Sequence, residues 1–207
     1  AMCFLAGSIA AAIIGIKTKL ISVGDAIDRW TKGAGSMMQV IMILVCAWSI
    51  SSLTQAMDIG GYLTGVVQDS IPASLIPALI FLIGVVVSFA TGSSWGVWAL
   101  GLPIAMPMAE ALGISMTLTI GAVVSGGLFG DHCSPISDTT IQSSTSACCD
   151  HLQHVKTQLP YAITVGISCF IGYLAAGLIT PLLSLPVTLV CIVAGLLIMK
   201  QMTKKNQ

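Results

Sequence analysis

Gly130-Asp131-His132-Cys133-Ser134-Pro135-Ile136-Ser137-Asp138-Thr139-Thr140 sets two carboxylates, an imidazole and four hydroxyls side by side, between two apolar runs. The chain around it has 207 residues, is 56% hydrophobic and carries only eight acidic and eight basic side chains. A soluble surface is roughly 25–35% charged, so this composition belongs to the membrane class. Ionisable groups at hydrocarbon depth are costly, and those that occur face a cavity and handle an ion, a proton or a substrate. The stretch therefore reads as a transport-site candidate within an all-α, polytopic transmembrane helical bundle.

Equal numbers of acids and bases leave no basic excess, so nucleic acid is not an expected partner. The expected surroundings are the lipid bilayer. Cys3, Cys46, Cys169 and Cys191 lie inside apolar runs, where a thiol acts as a small hydrophobe, and no disulfide framework is read from the seven cysteines. The sequence opens within an apolar run and lacks a basic leader. A signal peptide is not expected, and an N-terminal portion of the same protein is expected to precede residue 1.

About 20 apolar residues cross a bilayer core as a helix. Candidate spans are Ala1–Ile16, Met37–Met57, Ile71–Ala90, Trp95–Ala111, Ile114–Phe129, Pro160–Thr180 and Leu182–Met199. Trp95–Ala111 contains Gly96, Gly101, Pro103 and Pro107 and is expected to kink or unwind. Basic residues orient the spans. Lys17, Lys19, Arg29 and Lys32 place residues 17–36 in the cytoplasm as a solvated loop with a surface helix. Lys156 and the tail at 200–207, with Lys200, Lys204 and Lys205, fall on the same side, whereas the loop near Asp58 and Asp69 lies outside. Residues 71–111 either cross twice or form a re-entrant hairpin with its tip at Thr91–Ser94. The whole of 1–207 is read as one transmembrane transporter domain.

Ser134-Pro135 reads as a helix start, with a capping hydroxyl and a proline preorganised for the first helical position. From there Ser134, Asp138, Gln142 and Thr145 share one helical face, with Thr139 and Ser143 beside it. Upstream, Gly126, Gly127 and Gly130 weaken the preceding helix, which is expected to end at Gly130. Such an interruption frees backbone carbonyls for a cation and amides for an anion. Asp131 would lie in the break and Asp138 one turn into the second half. Two carboxylates in low dielectric seldom both ionise without a cation between them. One holds a proton until a metal ion displaces it, which suffices for ion/proton exchange. Sodium, a hard cation, would take oxygens from Asp131, Asp138, Ser134, Thr139 and free carbonyls. His132 reads as a proton relay or as a histidine hydrogen-bonded within the break.

Thr91-Gly92-Ser93-Ser94-Trp95-Gly96 forms a second, uncharged break, suited to a hairpin tip or to close helix packing. Cys148-Cys149-Asp150-His151-Leu152-Gln153-His154 has no second ligand pair for zinc and reads as an aqueous loop. Trp48 and Gln55, seven apart, are read as facing the bundle interior, and Trp30 as an interface anchor. Against transport stand a polar surface loop at 131–147 in a non-catalytic scaffold, and a membrane hydrolase with Asp131 and His132 activating water beside Ser134 or Cys133. Adjacent residues on a break rarely converge on one atom, which weighs against the hydrolase.

The 130–140 stretch resembles the NhaC-type sodium/proton antiporter family, in its C-terminal half. Further segments that carry the resemblance are Asp150-His151, Lys156 through Tyr161, Ala90 through Gly96 and Ile43 through Trp48. The similarity covers roughly residues 25–180. It implies a polytopic inner-membrane carrier with two structural repeats, of which this chain holds about one, working by alternating access of inverted repeats with discontinuous helices. On that footing Asp131 and Asp138 carry ions and protons, with Ser134, Thr139, Thr91, Ser93, Ser94 and His132 in support. No cofactor is implied beyond transported sodium ions and protons. The missing N-terminal half of the same transporter would be the structural partner, in a bacterial inner membrane. Some relatives carry amino acids or small carboxylates, so a sodium- or proton-coupled amino-acid or organic-acid carrier is the alternative reading.

Overall fold

The structure is a computed structural model. It describes residues 2–36, 71–205 and twelve positions between them (38, 41, 42, 45, 46, 49, 52, 53, 56, 57, 62 and 65). Trp48, Gln55, Asp58 and Asp69 lie outside the described residues, as does much of the expected Met37–Met57 span. Every regular element among the described residues is helical. Contacts divide the chain into residues 1–43 and 44–207.

In the first unit, α1 (Met2–Lys17) is a short apolar helix, and α2 (Val23–Ser36) is amphipathic. Lys19, at φ 57°, turns the chain between them. The start of α2 is a reciprocal cap: the Ser22 hydroxyl accepts from the Asp25 amide at 3.1 Å, while Asp25 Oδ2 accepts from the Ser22 amide at 3.0 Å. Lys32 pairs with Asp28 one turn back at 2.6 Å, on an exposed face. The helical spacing of charges between 25 and 32 thus forms a wet face on a helix.

The second unit holds α3 (Ile76–Thr91), α4 (Ser94–Ala111), α5 (Met116–Cys133), α6 (Asp138–Ser146), α7 (His151–Leu178) and α8 (Ser184–Lys205). Short 3-10 turns at Ala73–Leu75 and Pro181–Leu183 lead into α3 and α8. Three segments among the described residues are long and apolar enough to cross a membrane: Ala73–Thr91, His151–Leu178 and Pro181–Gln201. Helix α5 is the hub, packed against α3, α4 and α7. Its contact faces carry small residues, with Ala122 and Val123 fully buried, as expected where close van der Waals packing replaces a hydrophobic driving force between helices.

Two expectations about proline shift. Helix α4 continues through Pro103 and Pro107 without unwinding, and α7 begins at His151, nine residues before Pro160. Each proline deletes only one backbone N–H, and the bonds of neighbouring turns keep the helix going. The Asp150 carboxylate fixes the earlier start of α7 by accepting from the Gln153 amide at 2.8 Å.

Close approach of α3 to α5 positions everything that follows. A Cβ on Gly126 would lie 2.6 Å from the Phe81 carbonyl oxygen, and one on Gly130 would overlap Ser88 Oγ and the Phe89 amide. Ser88, fully buried, donates its hydroxyl to the Gly126 carbonyl at 3.0 Å across this crossing. Gly130 is therefore a packing glycine rather than a helix stop.

Candidate functional site

Helix α5 runs past Gly130 to Cys133, so Asp131 occupies its last turn and the interruption is Ser134–Ser137. Both expected boundaries move toward the C-terminus: the helix end from Gly130 to Cys133, and the next helix start from Ser134 to Asp138. The reason is local. A residue before proline is biased out of the helical region, and Ser134 sits at φ −72°, ψ 133° ahead of Pro135. Ser137 is again extended, at φ −71°, ψ 135°, and begins α6. A discontinuous pair of helices results, with the break four residues long.

Around the Asp131 carboxyl, which is only 6% exposed, three hydroxyls converge. Ser137 Oγ donates to Oδ1 at 2.7 Å, Thr139 Oγ1 to the same oxygen at 3.3 Å, and Ser94 Oγ to Oδ2 at 3.2 Å. Thr140 donates to the Asp131 backbone carbonyl at 3.2 Å. Ser137 Oγ and Thr139 Oγ1 also lie 2.9 Å apart, so the single Thr139 hydroxyl hydrogen is shared between Ser137 and Asp131. Ser94 is the first residue of α4, and Ser137 precedes the first residue of α6. The carboxyl therefore faces two helix N-termini, whose partial positive charge favours an anion. Among the described residues no basic side chain pairs with it.

The two sequence breaks meet here. Gly92, left-handed at φ 68°, closes α3, and a Cβ on it would lie 2.8 Å from the carbonyl oxygen of Ile136 in the other break. Only glycine combines that φ with that approach. This contact sets the 92–94 turn beside the break, with Ser94 two residues on from Gly92 and bonded to Asp131.

Of the residues singled out from sequence, Asp131, Thr139 and Ser94 come together directly. Ser134 is fully buried in the break, where its hydroxyl accepts from the Ile136 amide at 3.4 Å. Asp138 is exposed on this chain, and its Oδ1 accepts from the Thr139 amide at 2.9 Å. Thr139 thus touches both carboxylates, one through its hydroxyl and one through its amide. Thr91 turns back to the Val87 carbonyl at 2.8 Å, and half-buried Ser93 precedes α4 without a side-chain cap bond. His132 is exposed and lines a separate cavity of about 360 Å³ with Ser125, Phe129, Gln158 and Tyr161.

Of the face read from Ser134, Asp138, Gln142 and Thr145, the three residues within α6 are exposed, whereas Ser134, in the break, is buried. The buried face is Ser137, Thr140 and Ser144, at spacings of three and four. Hydroxyls populate every face of this segment, so their spacing alone could not choose which face turns inward. Ser137, Thr140 and His151 are the site residues that sequence reasoning missed. His151 contacts Ser144 on α6 and the Pro135 carbonyl in the break, at 3.0 and 2.7 Å. No group of three or more His, Cys, Asp or Glu that would hold a metal occurs among the described residues.

A buried carboxyl that accepts from three neutral hydroxyls and has no fixed cation can be neutralised by a proton or by a small cation. The hydroxyl oxygens supply hard ligands for the latter. The chain is 43% identical over 163 residues to an uncharacterized protein of Haemophilus influenzae, covering 78% of this chain and 31% of that protein. It is 29% identical to the malate-2H(+)/Na(+)-lactate antiporter of Bacillus subtilis, over 81% of this chain and 36% of the relative. With the Na(+)/H(+) antiporter NhaC of Alkalihalophilus pseudofirmus it shares 39% identity over 44% of this chain and 21% of the relative. The chain spans about a third of the length of the first two relatives. No solved structure gives a significant match. The Na+/H+ antiporter family model matches residues 1–178, and the chain is an integral membrane protein that belongs to this family.

Proposed function

We propose that the protein is a secondary carrier that exchanges sodium for protons, with Asp131 as the group that binds them in turn. The observation that carries this reading is the buried Asp131 carboxyl, held by Ser94, Ser137 and Thr139 with no basic partner among the described residues. One carboxyl cannot hold both charges, so the arrival of either expels the other. Asp138, linked through Thr139, serves as the outer carboxylate on the path to Asp131. Ser134 and the break carbonyls complete the oxygen environment, and His132, exposed on the turn that carries Asp131, is available as a proton relay. Alternating access then requires a partner for this unit. The portion of the carrier that lies beyond this chain supplies it, in keeping with the partial coverage of the relatives. Residues 17–36 and 200–207 face the cytoplasm in this arrangement.

The test is sodium-driven proton flux in proteoliposomes that contain the full-length carrier. Asp131→Asn is expected to reduce flux to that of empty vesicles while membrane insertion stays at the wild-type level. Flux that persists in this variant removes Asp131 from the mechanism.

A second reading is exchange of a small organic acid coupled to the same ions. Its support is the likeness to a relative named as a malate and lactate antiporter. Sodium-dependent uptake of labelled lactate or malate, without sodium-induced proton movement in substrate-free vesicles, favours it over bare cation exchange.

A further inference from the structure

We infer that the corner between α1 and α2 is a binding site for anionic lipid headgroups, with α2 lying in the bilayer surface. Local bonds build the corner. The Leu20 amide donates to the Gly15 carbonyl and the Lys19 amide to the Ile16 carbonyl, both at 3.0 Å, which is the paired closure of a helix that ends on a left-handed residue. A Cβ on Gly15 would lie 2.8 Å from Ile21 Cδ1, so the returning chain packs directly on the end of α1. Glycine usually fills the left-handed position of such a closure, because a Cβ is disfavoured there. Here the position is held by Lys19, at φ 57°. Among the described residues neither Lys19 nor Lys17 forms an ion pair. A residue kept at a strained position is a candidate for function, and the group in question is the ammonium.

Both helices turn an apolar side the same way. Helix α1 has no charged residue before Lys17, and Leu5, Ile9, Ile13 and Ile14 are all exposed on it. A helix that is apolar all round belongs in hydrocarbon or protein. Leu5, Ile9 and Ile16 line one groove of about 650 Å³ together with Val23, Ile27 and Trp30 of α2. The last three remain more than half exposed, and their spacing of four and three sets them on a single face. With α1 in hydrocarbon, that face of α2 looks toward the same hydrocarbon. A water-borne partner would need the face turned away from α1, and it is turned toward it. Asp25, Asp28 and Lys32 occupy the other face, and Arg29, which also lines the groove, stands at the boundary, where a long side chain reaches water. Lys32 pairs with Asp28, and Arg29 acts on Asp25. Residues 1–43 hold four bases and two acids, so a charge of +2 is left over, and it sits at the corner on Lys17 and Lys19. An amphipathic helix of this kind lies in the plane of the interface, tryptophan suits that depth, and lysines at the surface attract anionic lipid.

The test uses the full-length carrier, with its native cysteines replaced, in vesicles of phosphatidylcholine and phosphatidylglycerol. A nitroxide on Ile27→Cys is expected to collide with dissolved oxygen more than with a water-soluble nickel chelate, and one on Lys32→Cys to show the reverse order. Lys32 takes part in an exposed ion pair, whose loss leaves the helix in place. A label at 27 that meets the chelate freely puts α2 in water and overturns the proposal. A label shielded from both reagents is covered by protein, whether another part of the carrier or a second copy, and overturns it as well. Val23→Cys gives the same reading where Ile27→Cys fails to insert. For the headgroups, a fluorophore at 27 is quenched by brominated phosphatidylglycerol or by brominated phosphatidylcholine at equal mole fraction. Phosphatidylglycerol is expected to be enriched about fivefold around the label, the weight of one lysine at a charged bilayer surface. Lys17→Gln with Lys19→Gln should bring the two lipids level, and Lys17→Arg with Lys19→Arg should keep the preference. Equal quenching in the parent protein, or a preference that survives the glutamine pair, overturns the assignment of the site. Neither readout depends on sodium or proton flux, so failure of the transport reading is told apart from failure of this one.

Discussion

Asp131 shows how a single side chain is made both burial-tolerant and reactive. Its carboxyl is stabilised by hydroxyl donors and helix N-termini, all of which remain neutral whatever the ion bound. A salt bridge would have fixed its charge instead. Ser137 makes the shortest of these bonds, at 2.7 Å. Ser137→Ala should raise the sodium concentration for half-maximal flux about tenfold, since a hydrogen bond to a charged group contributes about 1.5–3 kcal/mol. Titrating flux against sodium, with insertion checked by surface labelling, measures this; an unchanged half-maximal concentration assigns Ser137 a purely structural place. Asp25 illustrates a different use of the same chemistry. Its carboxyl is held below the usual 3.8, first by the Ser22 hydroxyl and then by the Ser22 amide. A lowered native value means that the stabilisation of α2 is full at neutral pH, declines as pH falls past 3.8, and is lost once pH is below the native value. Amide exchange in the first turn of α2 should accelerate over that acid range in the wild type and be insensitive to it in Asp25→Asn.

At the level of elements, the α3–α5 crossing and the Gly92 turn decide whether the site exists. Gly130→Ala places a methyl where the Phe89 amide and Ser88 lie, and backbone cannot step aside as a flexible side chain does. The expected loss is about 3 kcal/mol, at the upper end of overpacking, seen as a lowered midpoint of thermal unfolding in detergent. Gly92→Ala combines a left-handed φ, worth about 1–2 kcal/mol, with a 2.8 Å approach to the Ile136 oxygen. It should displace Ser94 from Asp131 and impair flux more than it lowers the unfolding midpoint. The reverse order of effects would show that the tip is only a packing joint. Much of this was legible beforehand: the interruption near 130–138, the existence of a second interruption at 91–96, and the wet face of α2 all follow from glycine, proline and charge spacing. The boundaries did not follow. Gly130 has the composition of a helix stop, but its missing side chain is used for contact with α3, which is visible only when the two helices lie together.

For the molecule as a whole, composition settled the membrane class, and ionisable side chains set between two apolar runs hinted at ion handling. Among the described residues three helices have the length and apolarity to cross a bilayer, and the shorter, more polar α5 lies between α3, α4 and α7. The sequence by itself determined an all-helical membrane chain with a polar break within 130–138, because hydropathy, proline and charge act locally and need no partner. Which hydroxyls serve Asp131, why Asp138 stays outside, and how His151 grips Pro135 were decided by tertiary structure. Residues 94, 131, 137 and 151 become neighbours only through helix packing, and spacing along one chain carries no record of which face that packing buries.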